Sequence, residues 1–487
     1  MPPIRRNDWQ SLKRLTLKAR QAAVVASADV LVVGGGPAGI AAAIGAADAG
    51  ARVVLAERNG YFGGCATAAL VMPLMSYHTQ HPAPRVAGAE TLFPTDHGRS
   101  GGPAIGGVLT RFVNRLVERG GAFPPSVETG FVVPFDPEVF KTVAMELLDE
   151  AGVQYLLHSL ASGALGTSAV EGAVFETKSG PVALTADVTV DCTGDADIAA
   201  FAGARYVFGR ESDGASEPLT LMFRMVGFDR DRFMAYVRAN PEEWYGVHGL
   251  WELVREARLR GDLDLQREDI LLFGTPHDGE VVVNSTRVTD ASGISVCDLT
   301  HAEGEGRRQM TVIASFLRRY VPGFQDAYVV QSGSVIGVRG TRRIIGDYTL
   351  TAEDILEARK HDDVIARGSY PIDIHNPEGP GTLMRRLPSG EAYDIPLRCL
   401  LPSGIDNLCV AGKSIAATYE AHSSSRAAPI CFATGQAAGA CAALAAKAHH
   451  SPHAIAVRDV QHELIRQDAN LRSEEHTSEL QSHSDLV

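Results

Sequence analysis

Three glycines and one acid near the N-terminus have the residue types and the spacing to bind a dinucleotide. Gly34, Gly36 and Gly39 form a G-x-G-x-x-G pattern, and Glu57 follows downstream. In such a pattern the first glycine permits a tight turn, the second lets the backbone approach a pyrophosphate, and the third lets a helix lie close to the sheet. The carboxylate of Glu57 can accept hydrogen bonds from both hydroxyls of a ribose. The pattern therefore predicts dinucleotide binding.

The segments on either side are those that position such a turn. Residues 30–33 form a continuous apolar run, as expected of a strand that is buried on both faces of a parallel sheet. Pro37 suits the first turn of a helix, because its missing N–H needs no partner there. We predict that this helix ends near Gly50 and that residues 52–56 form the next strand.

Two stretches far along the chain have the same organisation. Residues 188–192 read as a strand that ends in a Thr-Gly-Asp turn, and residues 407–411 read as a strand followed by a helix rich in Gly and Ala. Residues 205–395 carry more charge and a more alternating pattern. We therefore predict an α/β fold. A discontinuous Rossmann-like domain at 25–204 with 396–471 would have a parallel sheet with helices on its faces, and an inserted α+β substrate or cap domain would occupy 205–395.

Composition limits the classes of function. With 487 residues, 21% of them charged and 45% hydrophobic, the chain fits a soluble globular protein of two domains. The net charge of −13 argues against nucleic acid or an anionic membrane as the partner. The seven cysteines include no CxxC pair, which favours a reduced, cytoplasmic location and gives no motif for a metal or an iron–sulfur cluster.

The two ends are expected to lie outside the fold. Arg5-Arg6 is not followed by an apolar segment, so we expect an amphipathic lead-in helix at 1–24 rather than a signal peptide. Residues 472–487 have no apolar periodicity and read like the in-frame translation of a sequencing adapter. We interpret them as a non-native tail; the alternative is a genuine disordered acidic tail.

The segments described above resemble the FAD-dependent oxidoreductases of the glutathione-reductase/succinate-dehydrogenase type. Residues 339–347, 370–375, 394–398 and 426–439 are similar to the bacterial flavoprotein family whose FAD domain is shared with the A subunit of heterodisulfide reductase. The resemblance covers roughly residues 25–470 and implies FAD as the cofactor. It implies cofactor contacts for Gly34, Gly36, Pro37, Ala38, Gly39, Glu57, Arg58, Gly63, Gly64, Thr67, Gly194, Asp195, Gly412, Arg426, Gly435 and Gln436. Tight helix packing is the open alternative for Gly435.

A basic cluster in the central region is the first candidate for catalysis. Arg339, Arg342 and Arg343 could clamp an anionic substrate, because guanidinium groups bind carboxylates in bidentate fashion. The sequence leaves open whether they pair structurally with Asp347 or Asp354 instead.

Two histidines are candidates for a general acid or base. His375 precedes Asn-Pro and could equally be a surface or hydrogen-bonded histidine. His422 lies four residues before Arg426, at the start of the helix expected to face the flavin, and is the better candidate.

The leading hypothesis is an FAD-dependent oxidoreductase whose flavin N5 exchanges a hydride with a small polar or anionic organic substrate. One alternative is an electron-transfer subunit of a heterodisulfide-reductase-like complex. Its iron–sulfur clusters would have to come from a partner, because a four-iron cluster carried over from relatives has no motif here. A second alternative, a non-enzymatic nucleotide-binding module, is disfavoured by the intact glycine pattern. We expect no nucleic-acid or membrane partner, and we consider a homodimer.

Overall fold

The computed structural model describes residues 13, 15, 16, 18–81, 88, 91–94, 99–265, 267–379 and 381–471. Residues 18–22 have no regular structure and a strand begins at Ala23, so the lead-in helix predicted for 1–24 is wrong for residues 18–24. The rest of that helix lies largely outside the described residues, and the tail at 472–487 lies wholly outside them.

The described residues form twelve α-helices and twenty-one strands. The helices are α1 (Pro37–Asp48), α2 (Cys65–Ala68), α3 (Val108–Glu118), α4 (Pro137–Glu150), α5 (Asp197–Phe201), α6 (Arg230–Ala239), α7 (Trp251–Leu259), α8 (Val296–Tyr320), α9 (Ala352–Leu356), α10 (Tyr419–Ser425), α11 (Ala428–Ala448) and α12 (Val457–Arg466). The strands are β1 (Ala23–Val33), β2 (Val53–Ala56), β3 (His78–His81), β4 (Arg99–Pro103), β5 (Gln154–Leu156), β6 (Leu160–Leu165), β7 (Gly172–Thr177), β8 (Gly180–Asp191), β9 (Tyr206–Phe208), β10 (Phe223–Val226), β11 (Trp244–Tyr245), β12 (His248–Gly249), β13 (Ile270–Gly274), β14 (Glu280–Val283), β15 (Tyr328–Ser332), β16 (Arg342–Ile344), β17 (Val364–Gly368), β18 (Ile372–His375), β19 (Thr382–Arg385), β20 (Tyr393–Pro396) and β21 (Leu408–Val410).

The main sheet joins the N-terminal and C-terminal parts of the chain. Its strands lie in the order β5-β2-β1-β8-β7-β6, and β21 also pairs with the end of β8. The pairs among β5, β2, β1, β8 and β21 are parallel, whereas β7 and β6 extend the sheet in antiparallel fashion. The sheet is therefore mixed rather than purely parallel, as a Rossmann-like α/β domain with an antiparallel extension would be. The discontinuous arrangement follows from β21, which returns to β8 from more than 200 residues away.

Helix α11 packs along α1 on this sheet. Among the described residues it is the one helix long and apolar enough to cross a membrane, and 83% of its most apolar window is buried inside the protein. Its many alanine and glycine residues let the two helix backbones approach closely.

A second sheet has its own core. Its strands lie in the order β11-β12-β13-β14-β10-β15, its pairs are antiparallel, and α6, α7 and α8 cover it. The buried cluster on this sheet runs from Phe223 to Ala327 and includes Leu92. Ile365 and Tyr393, which lie inside the predicted cap, belong instead to the main cluster beneath α11. The boundaries of the inserted domain stay a prediction.

Candidate active site

The turn after β1 owes its shape to two glycines. Gly34 has φ +100°, and a Cβ on it would lie 2.4 Å from the carbonyl oxygen of Cys192. A Cβ on Gly39 would lie 1.7 Å from the carbonyl oxygen of Gly34. Both positions therefore require glycine for the fold itself, because a side chain would push the first turn of α1 away from the sheet.

Gly36 differs from these two glycines, because the protein leaves room at this position. Its φ is −75°, and the nearest atom to an added Cβ within 4 Å is the Cα of Gly64, at 3.7 Å. Gly63 holds the second turn in place by donating its N–H to the carbonyl of Gly35 at 2.8 Å. The N-terminus of α1 has no side-chain cap, so its N–H groups face this open backbone cradle. Such a cradle fits a pyrophosphate.

Glu57 stands at the end of β2 beside the cradle and is 5% exposed. One carboxylate oxygen accepts a hydrogen bond from the N–H of Gly35 at 2.6 Å. The other accepts from the backbone N–H of Asn59 at 2.8 Å and from its side-chain amide at 2.7 Å. These bonds fix the orientation of the carboxylate. The next residue, Arg58, is exposed. Thr67 is buried and donates to the carbonyl of Phe62 at 2.9 Å, so its hydroxyl closes the second turn.

Two further turns predicted to line the cofactor meet each other. A Cβ on Gly194 would lie 2.9 Å from Cε of Lys413, and the ammonium of Lys413 lies 3.3 Å from Oδ1 of Asp195. Thr341 donates its hydroxyl to the same carboxylate oxygen at 2.6 Å. Gly412 has φ +77°, and a Cβ on it would approach the first turn of α1. These contacts bring the turns after β8 and β21 to the same edge of the sheet as the glycine pattern.

Gly435 and Gln436 do not face this cradle. A Cβ on Gly435 would lie 2.1 Å from the carbonyl oxygen of Ala38, so the glycine serves helix packing. The amide oxygen of Gln436 accepts from the N–H of Val108 at 3.1 Å, and its nitrogen donates to the side chain of Gln467 at 3.1 Å. The cofactor contacts predicted for these two residues are corrected to structural contacts within the core.

The three arginines of the predicted clamp have different partners in the structure. Arg342 donates to the carbonyl of Asp195 at 2.8 Å and to the carboxylate of Asp197 at 2.9 Å. Arg343 is 1% exposed and pairs with Glu211 at 2.9 Å. The guanidinium of Arg342 is thus engaged with the turn after β8, and its predicted catalytic role stays a prediction. Neither arginine makes the pairs with Asp347 or Asp354 that the sequence left open.

Arg339, His375, His422 and Arg426 do converge, and they surround the carboxylate of Glu217. Glu217 is 2% exposed. Its Oε2 lies 3.2 Å from Nη2 of Arg426, and its Oε1 lies 4.0 Å from Nδ1 of His422. Arg339 approaches from the loop before β16 and donates to the carbonyl of Pro218, next to Glu217.

Asp373 and His375 on β18 form the other side of this cluster. Asp373 Oδ2 accepts from the hydroxyl of Tyr370 at 2.8 Å, and the Asp373 carbonyl accepts from Arg426 at 3.1 Å. His375 Nε2 lies 3.8 Å from Asp373 Oδ2, and its Nδ1 lies 3.4 Å from the hydroxyl of Thr382. His375 is thus a partnered histidine at the edge of the site.

Burial and the arginines set the protonation states. The pKa of His422 lies well below its usual value, because the ring is desolvated and faces Arg343, Arg426 and Lys413. The pKa of His375 is also well below its usual value, for desolvation and the nearby arginines act in the same direction. The neutral form of both rings is therefore favoured.

The charged groups shift each other's pKa values in the same cluster. Burial and the neighbouring Arg426 lower the pKa of Arg339 to about 10. Burial raises the pKa of Glu217, while Arg426 and Arg339 oppose that effect. Shifts of this kind are typical of functional sites.

Several buried polar atoms of the cluster have no hydrogen-bond partner among the described residues. They are both ring nitrogens of His422, Oε1 of Glu217, Nε of Arg426, Oγ of Ser425 and the hydroxyl of Tyr419. Buried polar groups in native proteins are normally paired. These atoms lie close together, and a polar ligand bound among them would supply the hydrogen-bond partners that they lack.

The cluster lies next to the nucleotide cradle. The thiol of Cys431 contacts the carbonyl of Arg426 at 3.4 Å. A Cβ on Gly412 would lie 3.8 Å from that sulfur and 3.0 Å from Cβ of Ala38. The junction between α10 and α11 therefore connects the first turn of α1 with the Glu217 cluster.

Sequence reasoning missed Glu217 and the role of Gly340. No motif surrounds Glu217, so only its position in three dimensions marks it. A Cβ on Gly340 would lie 2.2 Å from Cε1 of His422, so this glycine makes room for the imidazole. The sequence shows a glycine at position 340, but it does not show that His422 packs against it.

The family model described as "FAD dependent oxidoreductase" matches residues 29–464. The chain belongs to the FAD-dependent oxidoreductase family. FAD is thus the cofactor that the cradle and Glu57 fit, and the chain is an oxidoreductase. No curated protein matches it. Among the described residues, no group of three or more His, Cys, Asp or Glu side chains could hold a metal ion.

Two solved structures are similar in fold at low sequence identity. A geranylgeranyl bacteriochlorophyll reductase-like protein from Thermoplasma acidophilum is 15% identical, with 91% of this chain and 84% of that one covered and a TM-score of 0.45. L-proline dehydrogenase from P. horikoshii is 11% identical, with coverages of 86% and 93% and a TM-score of 0.39.

Proposed function

We propose that this FAD-dependent oxidoreductase exchanges a hydride with a small organic anion that is bound by Arg339 and Arg426. The observation that carries the proposal is the buried cluster around Glu217, in which unpaired polar atoms and two guanidinium groups lie beside the nucleotide cradle. A cytoplasmic location and a homodimer are further parts of the proposal.

The charge of the cluster supports an anionic substrate. The arginines that act on His375 are Arg339, Arg426, Arg267 and Arg287. Against them stand the carboxylates of Glu217 and Asp373 and, farther out, Asp269, which pairs with Arg267 at 3.0 Å. Buried charges are stable only when they are compensated. A carboxylate on the substrate would complete the compensation, and the planar guanidinium groups suit it.

The bound FAD supplies hydride transfer at N5. In the oxidation direction, the neutral imidazole of His422 would take the proton from a hydroxyl or amine on the carbon that loses hydride; in reduction it would return that proton. Arg339 and Arg426 would hold the anionic end and thereby orient this carbon. Burial of the cluster keeps bulk water from the proton. His375 is the second candidate for the proton, with its nitrogens already near Asp373 and Thr382.

The test is reduction of the bound flavin without oxygen by small hydroxy and amino acids, each compared with its uncharged amide or methyl ester. We expect the acids to bleach the flavin absorbance and the neutral analogues to react at least tenfold more slowly. If the natural direction is reduction, unsaturated or keto acids should instead reoxidise the reduced flavin faster than their amides do.

The matched variants are Arg339→Gln and Arg255→Gln, the latter at an exposed arginine of α7. Arg339→Gln should raise KM for the acid by about tenfold or more, as expected for the loss of a charged hydrogen bond of about 1.5–3 kcal/mol. Arg255→Gln should leave KM unchanged. Equal rates with acids and neutral analogues, together with an unchanged KM in Arg339→Gln, would refute the anionic substrate. Isolation of a complex that contains sulfide and iron would favour the electron-transfer alternative.

A further inference from the structure

We infer that Glu217 is a positioning residue for His422: its carboxylate orients the imidazole and carries the counter-charge when that ring is protonated. The inference rests on the proposed function, in which His422 holds the proton.

The two oxygens of Glu217 have different surroundings. Oε2 is held by Nη2 of Arg426 at 3.2 Å, whereas Oε1 has no hydrogen-bond partner among the described residues. Nδ1 of His422 lies 4.0 Å from Oε1 and is also without a partner. This separation exceeds a hydrogen bond, but catalytic hydrogen bonds are often long in the free enzyme and shorten when substrate binds. A small rotation of either side chain would close the gap.

The other charged groups that act on His422 are cations. Arg343 reaches it from β16, Lys413 from the turn after β21 and Arg426 from the junction of α10 and α11. Each disfavours a positive charge on the ring. The backbone of Gly340 lies against the ring edge and brings no charge. The carboxylate of Glu217 is the group in position to stabilise the imidazolium.

Asp373 is the other buried acid of the cluster, and its contacts point elsewhere. Its carboxylate accepts from Tyr370, and His375 rather than His422 lies within 4 Å of it. Asp373 is thus the acid beside the ring of His375, whereas Glu217, which also accepts from the backbone of His375, is the acid within 4.0 Å of the ring of His422.

The proton and the electrons can be followed through one oxidation. The substrate O–H or N–H bond breaks and an N–H bond forms at Nε2 of His422. The electron pair that the O–H or N–H bond leaves on the oxygen or nitrogen would form the C=O or C=N bond. The neighbouring C–H bond would break and its electron pair would leave with the hydride, for which bound FAD would be the acceptor. The imidazolium then has an N–H at Nδ1, which donates to Oε1 of Glu217. Arg426 on the other oxygen favours the ionised form of Glu217 against the effect of burial. The charged carboxylate would then stabilise the imidazolium, as in a carboxylate–histidine pair.

The test is Glu217→Gln in the FAD-loaded protein, with two readouts. The first is the tautomer and the pKa of His422 from ¹⁵N-histidine NMR, assigned with His422→Gln, and it needs no substrate. We expect the wild-type ring to carry its proton at Nδ1. Glu217→Gln should lose that preference and lower the pKa of the ring further, since a negative charge has been removed. The second readout is kcat, which should fall at least tenfold while the FAD content and KM change little.

Glu280→Gln is the matched control. Glu280 is a similarly buried acid, and it pairs with Arg224 at 2.7 Å in the second sheet. Its loss should lower thermal stability without changing the His422 signals or kcat. Glu217→Asp keeps the charge on a shorter side chain and replaces the Gln variant if that one does not fold. In it the tautomer should persist while the ring pKa shifts measurably from wild type.

The outcomes separate the two proposals. Unchanged His422 signals in Glu217→Gln, or in Glu217→Asp where that variant is used, would overturn the inference whatever the substrate is. Changed signals without any reaction of small anions would leave the contact in place and overturn the proposed function.

Discussion

A substitution at Gly36 should separate the stability of the fold from the affinity for FAD. Its backbone conformation, φ −75° and ψ −174°, is open to alanine, and an added Cβ would meet only Gly64 Cα at an ordinary contact distance of 3.7 Å. In Gly36→Ala the lost freedom of the unfolded chain stabilises the protein and the poorer helix cap destabilises it. The two effects oppose each other and should leave the free energy of unfolding of the apoprotein within about 1 kcal/mol of wild type.

FAD affinity should behave differently in Gly36→Ala. The new methyl group would stand in the cradle where the backbone has to approach the pyrophosphate. Overpacking of this kind costs about 1–3 kcal/mol, which corresponds to an increase in the Kd for FAD of about 5- to 150-fold. The assay is titration of apoprotein with FAD by fluorescence, with thermal unfolding of the same apoprotein measured alongside.

Gly34→Ala is the matched control two residues away. Here φ is +100° and the Cβ would lie 2.4 Å from a backbone carbonyl oxygen, so the substitution should destabilise the apoprotein by about 2 kcal/mol or more. A Gly36→Ala protein that binds FAD with wild-type affinity would refute the placement of the pyrophosphate. A Gly36→Ala apoprotein as unstable as Gly34→Ala would refute the reading of the open cradle.

Three other substitutions test separate parts of the structure. Gly340→Ala should displace the His422 ring, because the new Cβ would lie 2.2 Å from Cε1 of that ring. We expect kcat to fall about 100-fold in steady-state kinetics while the FAD content, measured by flavin absorbance, stays unchanged. A wild-type kcat would contradict this. Burial raises the pKa of Asp191 to about 6, so the folded state favours the protonated acid and its contribution of about 3 kcal/mol is lost as pH rises from about 4 to about 6. Thermal unfolding between these pH values should therefore fall more steeply in wild type than in Asp191→Asn, and parallel curves would be inconsistent with the raised pKa. Gly435→Ala should lower the Tm of the apoprotein, because its Cβ would lie 2.1 Å from the Ala38 carbonyl oxygen; an unchanged Tm with weaker FAD binding would restore its cofactor role.

The part of the fold that could be predicted from the sequence is the part encoded by local motifs. The glycine pattern, the apolar strands and Glu57 are contiguous signals, and each has the place that its pattern predicts. The return of β21 to β8 was also predictable, since a short apolar strand before a helix repeats the opening pattern. The hairpin of β6 and β7 was not recognised as an antiparallel extension, because strand patterns do not encode pairing direction.

Side-chain partners were the part that sequence could not supply. Three arginines within five residues looked like one cluster. The loop before β16 places Arg339 beside Glu217, whereas Arg342 binds the turn after β8 and Arg343, which acts on His422, pairs with Glu211. Adjacent residues of a strand point to opposite faces, so close spacing in sequence separates rather than joins such side chains. The cofactor contact predicted for Gly435 has a related explanation. A glycine on a core helix indicates that another group approaches closely, but the sequence does not distinguish a second helix from a cofactor.

The junction between α10 and α11 explains why the cofactor cradle and the Glu217 cluster depend on each other. The carbonyl of Arg426 contacts Cys431 on the side of the cradle, while its guanidinium holds Glu217 on the other side. Any shift of α11 along α1 would therefore move the guanidinium relative to the carboxylate. A side chain at Gly435 would force α11 away from α1, because its Cβ would lie 2.1 Å from the carbonyl oxygen of Ala38. Through the junction of α10 and α11, Gly435 therefore supports the 4.0 Å separation of His422 and Glu217.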